Sequence, residues 1–171
     1  MSENLEIPSF ERKVDVADVS GDAVSVVLSL AETDAPALAQ FLEVPAVGML
    51  RGEADLLKHG ALITVQGRIE ASLTRECVAT LEQLTELVDE HFIVTYSIDA
   101  PVADFPDEVE ADLDMPEPIE GGVLEMRDVF LEQLVLAMDP HPRKEGAEAI
   151  ADPGAGATIS PFSVLADLKQ K

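Results

Sequence analysis

The sequence predicts an α+β fold, in which a mainly antiparallel β-sheet is built around one long hairpin, with two or three helices and an acidic loop. Two adjoining stretches alternate apolar and polar residues about a glycine-containing turn, which is typical of a hairpin. Strand-like and helix-like segments then interleave without a regular βαβ rhythm, and no internal repeat is apparent. Both observations favour an antiparallel sheet over a parallel, doubly wound one.

The predicted hairpin covers residues 46–75 and turns at His59-Gly60, or through a four-residue loop, 58–61, with the same register. Its two arms stay in phase about this turn, so apolar or small residues share one face and the register is specified. The expected cross-strand pairs are Leu50 with Ile69, Gly52 with Gly67, Ala54 with Val65, and Leu56 with Ile63.

The same register places Arg51 opposite Arg68 on the polar face. Like charges directly across a ladder are destabilising, so this pair has two interpretations. It is either an anion-binding pair, for a group such as phosphate, or part of a solvated cluster that Glu53 and Glu70 neutralise.

The other elements are predicted from periodicity, capping residues and prolines. Residues 77–86 stay open between a short helix and a connecting loop. Strands are expected near 14–19 and at 22–30, 90–98 and 123–126; helices are expected after a cap at Thr33 or Asp34, from a cap at Asp128 to about Met138, and after a cap at Ser160.

The chain is strongly acidic, with 34 Asp and Glu against 11 Lys and Arg and a formal net charge of −23. Such a surface repels a phosphate backbone, which argues against non-specific nucleic-acid binding and favours basic partners such as a ribosomal protein. Solubility or a salt-rich habitat is the alternative explanation. With one cysteine and no apolar run approaching about 20 residues, the sequence predicts a cytoplasmic protein without a membrane segment.

The acids are concentrated in residues 99–122, which hold nine Asp or Glu, four prolines and no Lys or Arg. Such a segment buries too little apolar surface to offset the conformational entropy that it would lose on ordering, so we expect a flexible acidic loop. The expected organisation is one α+β domain over residues 1–142, including this loop, and a tail over residues 143–171 with a short C-terminal helix.

Enzyme motifs are weak or missing: there is no glycine-rich phosphate loop, GxSxG, HExxH or paired CxxC. His59, His91 and His141 have no evident reason to converge, and Cys77 has no basic neighbour closer than Arg75. We therefore expect a binding protein with no catalytic residues, metal or cofactor. A metal-dependent nuclease is the alternative in the enzyme class.

Several motifs resemble, in order and spacing, the YceD family, the large ribosomal RNA subunit accumulation proteins. The resemblance covers about Val44 to Lys169 and is greatest to alphaproteobacterial-like members. It rests on the hairpin, then TRECVATLEQL, a strand, the acidic stretch, VFLEQLVLAMDPHPR and SPFSVLADLK.

The resemblance implies a non-enzymatic role in the accumulation or processing of large-subunit rRNA. It assigns Cys77, Thr80 and Glu82 to the family's central motif, and Glu132 and Gln133 to its helix motif. Many relatives carry CxxC where this chain has Cys77 and Thr80, so a cysteine-based zinc site is not expected. Cys77 and Thr80 either hold a turn or bind a partner, and Glu132 with Gln133 would anchor a helix to the sheet.

Two modes of action follow from these features. In one, rRNA contacts a basic strip on the hairpin. In the other, the acidic loop escorts a basic ribosomal protein, which the charge balance favours. An acidic escort or nucleic-acid mimic unrelated to rRNA is a further alternative. The basic strip consists of Arg51, Lys58, Arg68 and Arg75.

Overall fold

Three long antiparallel strands form the centre of the computed structural model, which describes residues 12–99 and 116–147. A short 3-10 helix spans Glu120–Gly122, directly before the strand that starts at Val123. In chain order, the strands are β1 (Lys13–Asp15), β2 (Val24–Ser29), β3 (Ala46–His59), β4 (Leu62–Glu76), β5 (Gln83–Ser97), β6 (Glu117–Pro118) and β7 (Val123–Glu125), and the helices are α1 (Ala35–Phe41) and α2 (Met126–Ala137).

The main sheet has five strands in the order β2-β3-β4-β5-β6. Strands β2 to β5 pair antiparallel, and the short β6 adds to β5 in parallel. The N-terminal strand β1 pairs with β7 in a separate two-stranded sheet. This topology confirms the predicted α+β class. The acidic residues 100–115 and the helix expected after Ser160 lie outside the described residues.

The hairpin is present close to its predicted extent, but from Met49 to His59 each cross-strand partner is displaced by two residues. A bulge between Val47 and Met49 reduces the displacement to one at Ala46 and Val47. The two-residue loop is Gly60-Ala61, so His59 pairs with Leu62. Gly60 has a φ of +63°, and a positive φ at the first loop position is where hairpin turns favour glycine. A displacement of two keeps every side chain on its face, so the buried face is as predicted. The observed pairs are Leu50 with Ala71, Gly52 with Ile69, Ala54 with Gly67, and Leu56 with Val65.

The observed register also removes the expected opposition of two arginines. Arg51 lies opposite Glu70, and Arg68 lies opposite Glu53. Opposite charges across a ladder are stabilising where like charges are not. The polar face therefore favours the observed register over the predicted one.

Strand β5 is longer than predicted, since it starts at Gln83 and pairs along the whole of β4. The start of the strand was missed because residues 83–90 alternate only weakly between apolar and polar. Val88 is the one buried residue among them. The open alternative for residues 77–86 is thereby decided: residues 77–82 form a connecting loop, and the rest belong to β5.

Helix α1 begins directly after Asp34, as predicted, although the Asp34 side chain makes no capping hydrogen bond. It ends at Phe41, and two residues later Glu43 adopts the left-handed conformation, with a φ of +53°. The next N–H, of Val44, donates to the Ala39 carbonyl at 3.0 Å, which satisfies one of the last helical carbonyls.

Helix α2 begins at Met126, before the predicted cap at Asp128, which instead lies in the first turn. Strand β7 leads directly into this helix, and the Met126 N–H donates to the Arg12 carbonyl at 2.9 Å. This contact continues the β1–β7 ladder by one residue and satisfies a donor at the helix start, where a side-chain cap would otherwise be needed.

The packing of α2 on the sheet depends on two glycines that leave space for two aromatic rings. A Cβ atom on Gly52 would lie 2.6 Å from the ring of Phe130, and one on Gly67 would lie 2.7 Å from Cζ of Phe92. The two rings meet edge to face, with centroids 5.9 Å apart and planes at 85°. The Phe130 ring of the helix therefore packs directly against the backbone of the sheet.

Replacement of Gly52 by alanine should destabilise the protein, because the added methyl group would overlap the Phe130 ring. Overpacking of a filled core costs about 1–3 kcal/mol. Equilibrium urea unfolding measures this loss. Gly21→Ala is the matched control, since a Cβ atom there has no neighbour within 4 Å. Equal stability of the two variants would contradict the described packing.

Candidate functional site

The family-motif residues Cys77, Thr80 and Glu82 lie in one tight loop between β4 and β5, here called the Cys77 turn (residues 77–82). The Cys77 N–H donates to the Glu82 carbonyl at 2.9 Å, and the Leu81 N–H donates to the Cys77 carbonyl at 2.8 Å. Leu81 closes the loop in the left-handed region, with a φ of +60°. The Thr80 hydroxyl oxygen accepts from the Glu82 N–H at 3.4 Å. The three motif residues are therefore held together by the loop's own backbone.

The Cys77 turn binds the chain segment that follows α2. The Val78 N–H donates to the Pro142 carbonyl at 2.9 Å. The Lys144 N–H donates to Sγ of Cys77 at 3.4 Å, and its ammonium pairs with Glu82 at 2.8 Å. Residues 142–144 thus pack on the turn, although most of them were expected to begin a tail.

The Cys77 thiol is fully buried where these two segments meet. The Lys144 N–H donates to its sulfur at 3.4 Å, and the nearby Thr80 hydroxyl and the N–H groups of Ala79 and Thr80 also favour the thiolate. These donors stabilise the thiolate more than burial disfavours it, so they lower the pKa of Cys77 from 9.0 to about 7. The Thr80 hydroxyl makes the largest contribution to this lowering of the pKa.

A second polar contact beside the turn fixes the end of α2. Arg75 pairs with Glu86 at 2.6 Å, and both side chains are largely buried. The other oxygen of Glu86 accepts from the Asp139 N–H at 2.6 Å, and Arg75 donates to the Asp139 carbonyl at 3.2 Å. Arg75, predicted as part of a basic strip, therefore connects β4 and β5 to the residue after α2.

The other members of the predicted basic strip also have acceptors within the chain. Arg68 makes two bonds of 2.7 Å to Asp89, which raise the pKa of Arg68 and lower that of Asp89. Arg68 also contacts Glu70 at 3.1 Å. Arg51 pairs with Glu53 at 3.3 Å. The ammonium of Lys58 donates to the Val16 carbonyl at 3.3 Å.

Glu132 and Gln133, the predicted helix-motif residues, lie on α2 away from the Cys77 turn. Neither side chain makes a hydrogen bond to the residues that the structure describes, which leaves the proposed anchoring to the sheet without a described contact. Partial burial and the negative charge of Glu117 raise the pKa of Glu132. Gln133 is half-buried and borders a cleft against β5.

Three contributors to this site were missed by sequence reasoning: Glu86, Asp139 and Lys144. Glu86 lies in the weakly alternating half of β5. The other two follow α2: Asp139 contacts Glu86 across 53 residues of sequence, and Lys144 contacts Cys77 across 67. Spacing along the sequence carries no signal for such contacts.

The site joins the open end of a hairpin to the end of a helix in a strongly acidic α+β protein. Within residues 12–99 and 116–147, no group of three or more His, Cys, Asp or Glu is arranged to hold a metal ion. The same residues contain no helix long and apolar enough to cross a membrane.

Comparison with protein families identifies the chain. The model of the family described as Large ribosomal RNA subunit accumulation protein YceD matches residues 65–169, more than half of the chain. The chain belongs to this family, as its motifs predicted. The matched region begins within β4, later than the expected start near Val44, and includes the Cys77 turn, β5 and α2. Searches of curated proteins and of solved structures found no match.

The thiol of Cys77 should ionise with a midpoint near pH 7 rather than near 9. Because this is the one cysteine in the chain, the ultraviolet absorbance of the thiolate measures it directly. Thr80→Val should move the midpoint upward, since it removes the hydroxyl donor. Cys77→Ser supplies the blank. A midpoint that Thr80→Val leaves unchanged would contradict the hydrogen bond.

The same ionisation should make stability depend on pH. The folded pKa is lower than the unfolded one, so between about pH 7 and 9 the unfolded chain binds more protons. The contribution of Cys77 is therefore fully present above pH 9 and is lost as the pH falls through 7. The difference in unfolding free energy between the natural chain and Cys77→Ser should accordingly grow with pH across this range.

Proposed function

We propose that this protein supports the accumulation of large-subunit ribosomal RNA by binding, and that its direct partner is a basic ribosomal protein. The family's description names rRNA accumulation and no catalytic activity. The partner is inferred from charge: with a formal net charge of −23, the protein attracts cationic surfaces and repels the phosphate backbone of RNA.

The observation that carries this proposal is the internal pairing of the hairpin's cations. Arg68 is held by Asp89 and Glu70, and Arg75 by Glu86. A phosphate approaching either guanidinium would have to displace a carboxylate that is already in place. This cost disfavours rRNA binding through the hairpin and leaves the excess acids as the available binding groups.

The acidic residues 99–122 are the proposed contact with the basic partner. A polyanionic segment screens Lys and Arg side chains until rRNA replaces it, which suits an escort that must release its cargo to the ribosome. The exchange needs no catalytic group, since both polyanions compete for the same cations.

Neutralising the acids of this segment should lower recovery of basic large-subunit ribosomal proteins several-fold when the tagged protein is purified from its native host. Recovery should fall because the proposed contact loses six negative charges. Quantitative mass spectrometry of the bound fraction measures the recovery. The variant replaces Asp104, Asp107, Glu108, Glu110, Asp112 and Asp114 with Asn or Gln.

A control with the same change in net charge separates the segment from the overall field. It neutralises six exposed acids elsewhere that take no part in the described ion pairs, and it should retain most of the binding. Equal loss of binding in both variants would mean that net charge alone, and not the acidic segment, attracts the partner. Unchanged recovery with the variant of the acidic segment would reject the escort role. The control positions are Asp18, Asp22, Glu32, Glu43, Glu90 and Glu145.

A second variant tests whether the hairpin contacts rRNA directly. Because the charges of Arg51 and Arg68 are already paired within the chain, we expect that replacing both with Gln leaves ultraviolet crosslinking to rRNA in cells unchanged. Circular dichroism verifies that this variant folds. A clear loss of crosslinking in a folded variant would favour RNA as the direct partner.

A further inference from the structure

An apolar groove lies between the end of α1 and the side of α2 that faces away from the sheet. Phe41 lines one side, and Leu131, Val135 and Leu136 line the other, around an open volume of about 350 Å³. Phe41 is 38% exposed, Val135 53% and Leu136 72%. Helix α2 is therefore apolar both where it packs on the sheet and where it lines the groove, a pattern typical of a helix covered on both sides.

We propose that the C-terminal segment of the same chain, residues 160–169, docks in this groove through Phe162, Leu165 and Leu168. These side chains recur every third residue, so a helix would present them as one apolar face. The segment lies outside the described residues. Its docking would cover the exposed side of α2 without a second protein.

Charge complementarity supports this occupant. The groove is bordered by Asp128 and Glu132, and Glu132 has no ion pair among the described residues. The proposed segment contains one acid, Asp167, but ends in Lys169, and Lys171 lies two residues further on. Docking of the apolar face brings this basic end near an acidic rim, where opposite charges attract.

The connection is long enough for docking within one chain. Phe162 follows Ala147 by 15 residues, which span up to about 50 Å. The groove side of α2, from Asp128 to Leu136, is roughly 12 Å long. The segment after α2 is held at the helix end through Asp139. A tethered ligand has an effective concentration in the millimolar range, so a weak contact suffices.

The extent of the family match also favours a contact within the chain. The matched residues, 65–169, include α2 and the proposed segment, whereas α1 lies before them. The two elements that would form most of this contact therefore belong to the part of the chain that the family model describes.

A single tryptophan tests the proposal in the full-length protein. The chain has no tryptophan, so the emission of Phe162→Trp reports the environment of that position alone. We expect blue-shifted emission, a red shift when Leu136→Glu is added, and no shift with Leu87→Glu. Leu87 is the matched control, because it is 76% exposed but lies on β5 and does not line the groove. Circular dichroism verifies that both variants fold.

Hydrogen exchange on the natural sequence provides a measurement that does not depend on the tryptophan. The amides of residues 162–168 should be protected, and Leu136→Glu should reduce that protection about tenfold or more, the scale of one lost leucine contact. Leu87→Glu should leave it unchanged.

Three results would overturn the proposal. Exposed indole emission together with unprotected amides would mean that the segment does not dock. Burial that Leu136→Glu leaves intact would mean that it docks at another surface. Burial that disappears on dilution would mean that the groove belongs to a second copy of the chain. None of these results bears on the escort role, which is measured through the acidic segment.

Discussion

The contact of the Phe130 ring with the backbone of Gly52 is the constraint on which the rest of the structure depends. Only a residue without a Cβ lets the ring reach the backbone of the sheet, and this close approach sets the distance between α2 and the sheet. The start of the helix is then held by the β1–β7 ladder, and its end by Glu86. Three separate parts of the chain, the N-terminal strand β1, the hairpin and strand β5, therefore meet along one helix.

The polar contacts at the end of α2 explain why the family's central motif lies where it does. A carboxylate as buried as Glu86 is stable only if its charge is compensated, and it has both Arg75 and the Asp139 N–H. The neighbouring thiol of Cys77 likewise collects donors from its own turn and from Lys144. The motif thus joins the loop between β4 and β5 to the segment that follows α2.

The sequence predicted the faces of the strands well and their pairing less well. Alternation along β3 and β4 is a local property, so the buried residues followed directly from it. The turn was misplaced by one residue because His-Gly and Gly-Ala loops keep the same alternation. The positive φ of Gly60 and the opposite charges paired across the ladder separate the two registers. The site was incomplete for a related reason: Cys77, Thr80 and Glu82 are neighbours in sequence, whereas Lys144 arrives through tertiary contacts.

Tertiary contacts also change how the chain's few cations are interpreted. Counted along the sequence, Arg51, Arg68 and Arg75 form a basic strip, but each has an acidic partner in the folded chain. Arg75 and Glu86 are largely buried, so salt screens their interaction less than it screens the exposed acids. The cations of the hairpin are thus used within the chain, while the surplus of carboxylates sets the external field. Under the proposed escort role, a change in ionic strength would weaken the contact with a basic partner more than it weakens the largely buried pair of Arg75 and Glu86.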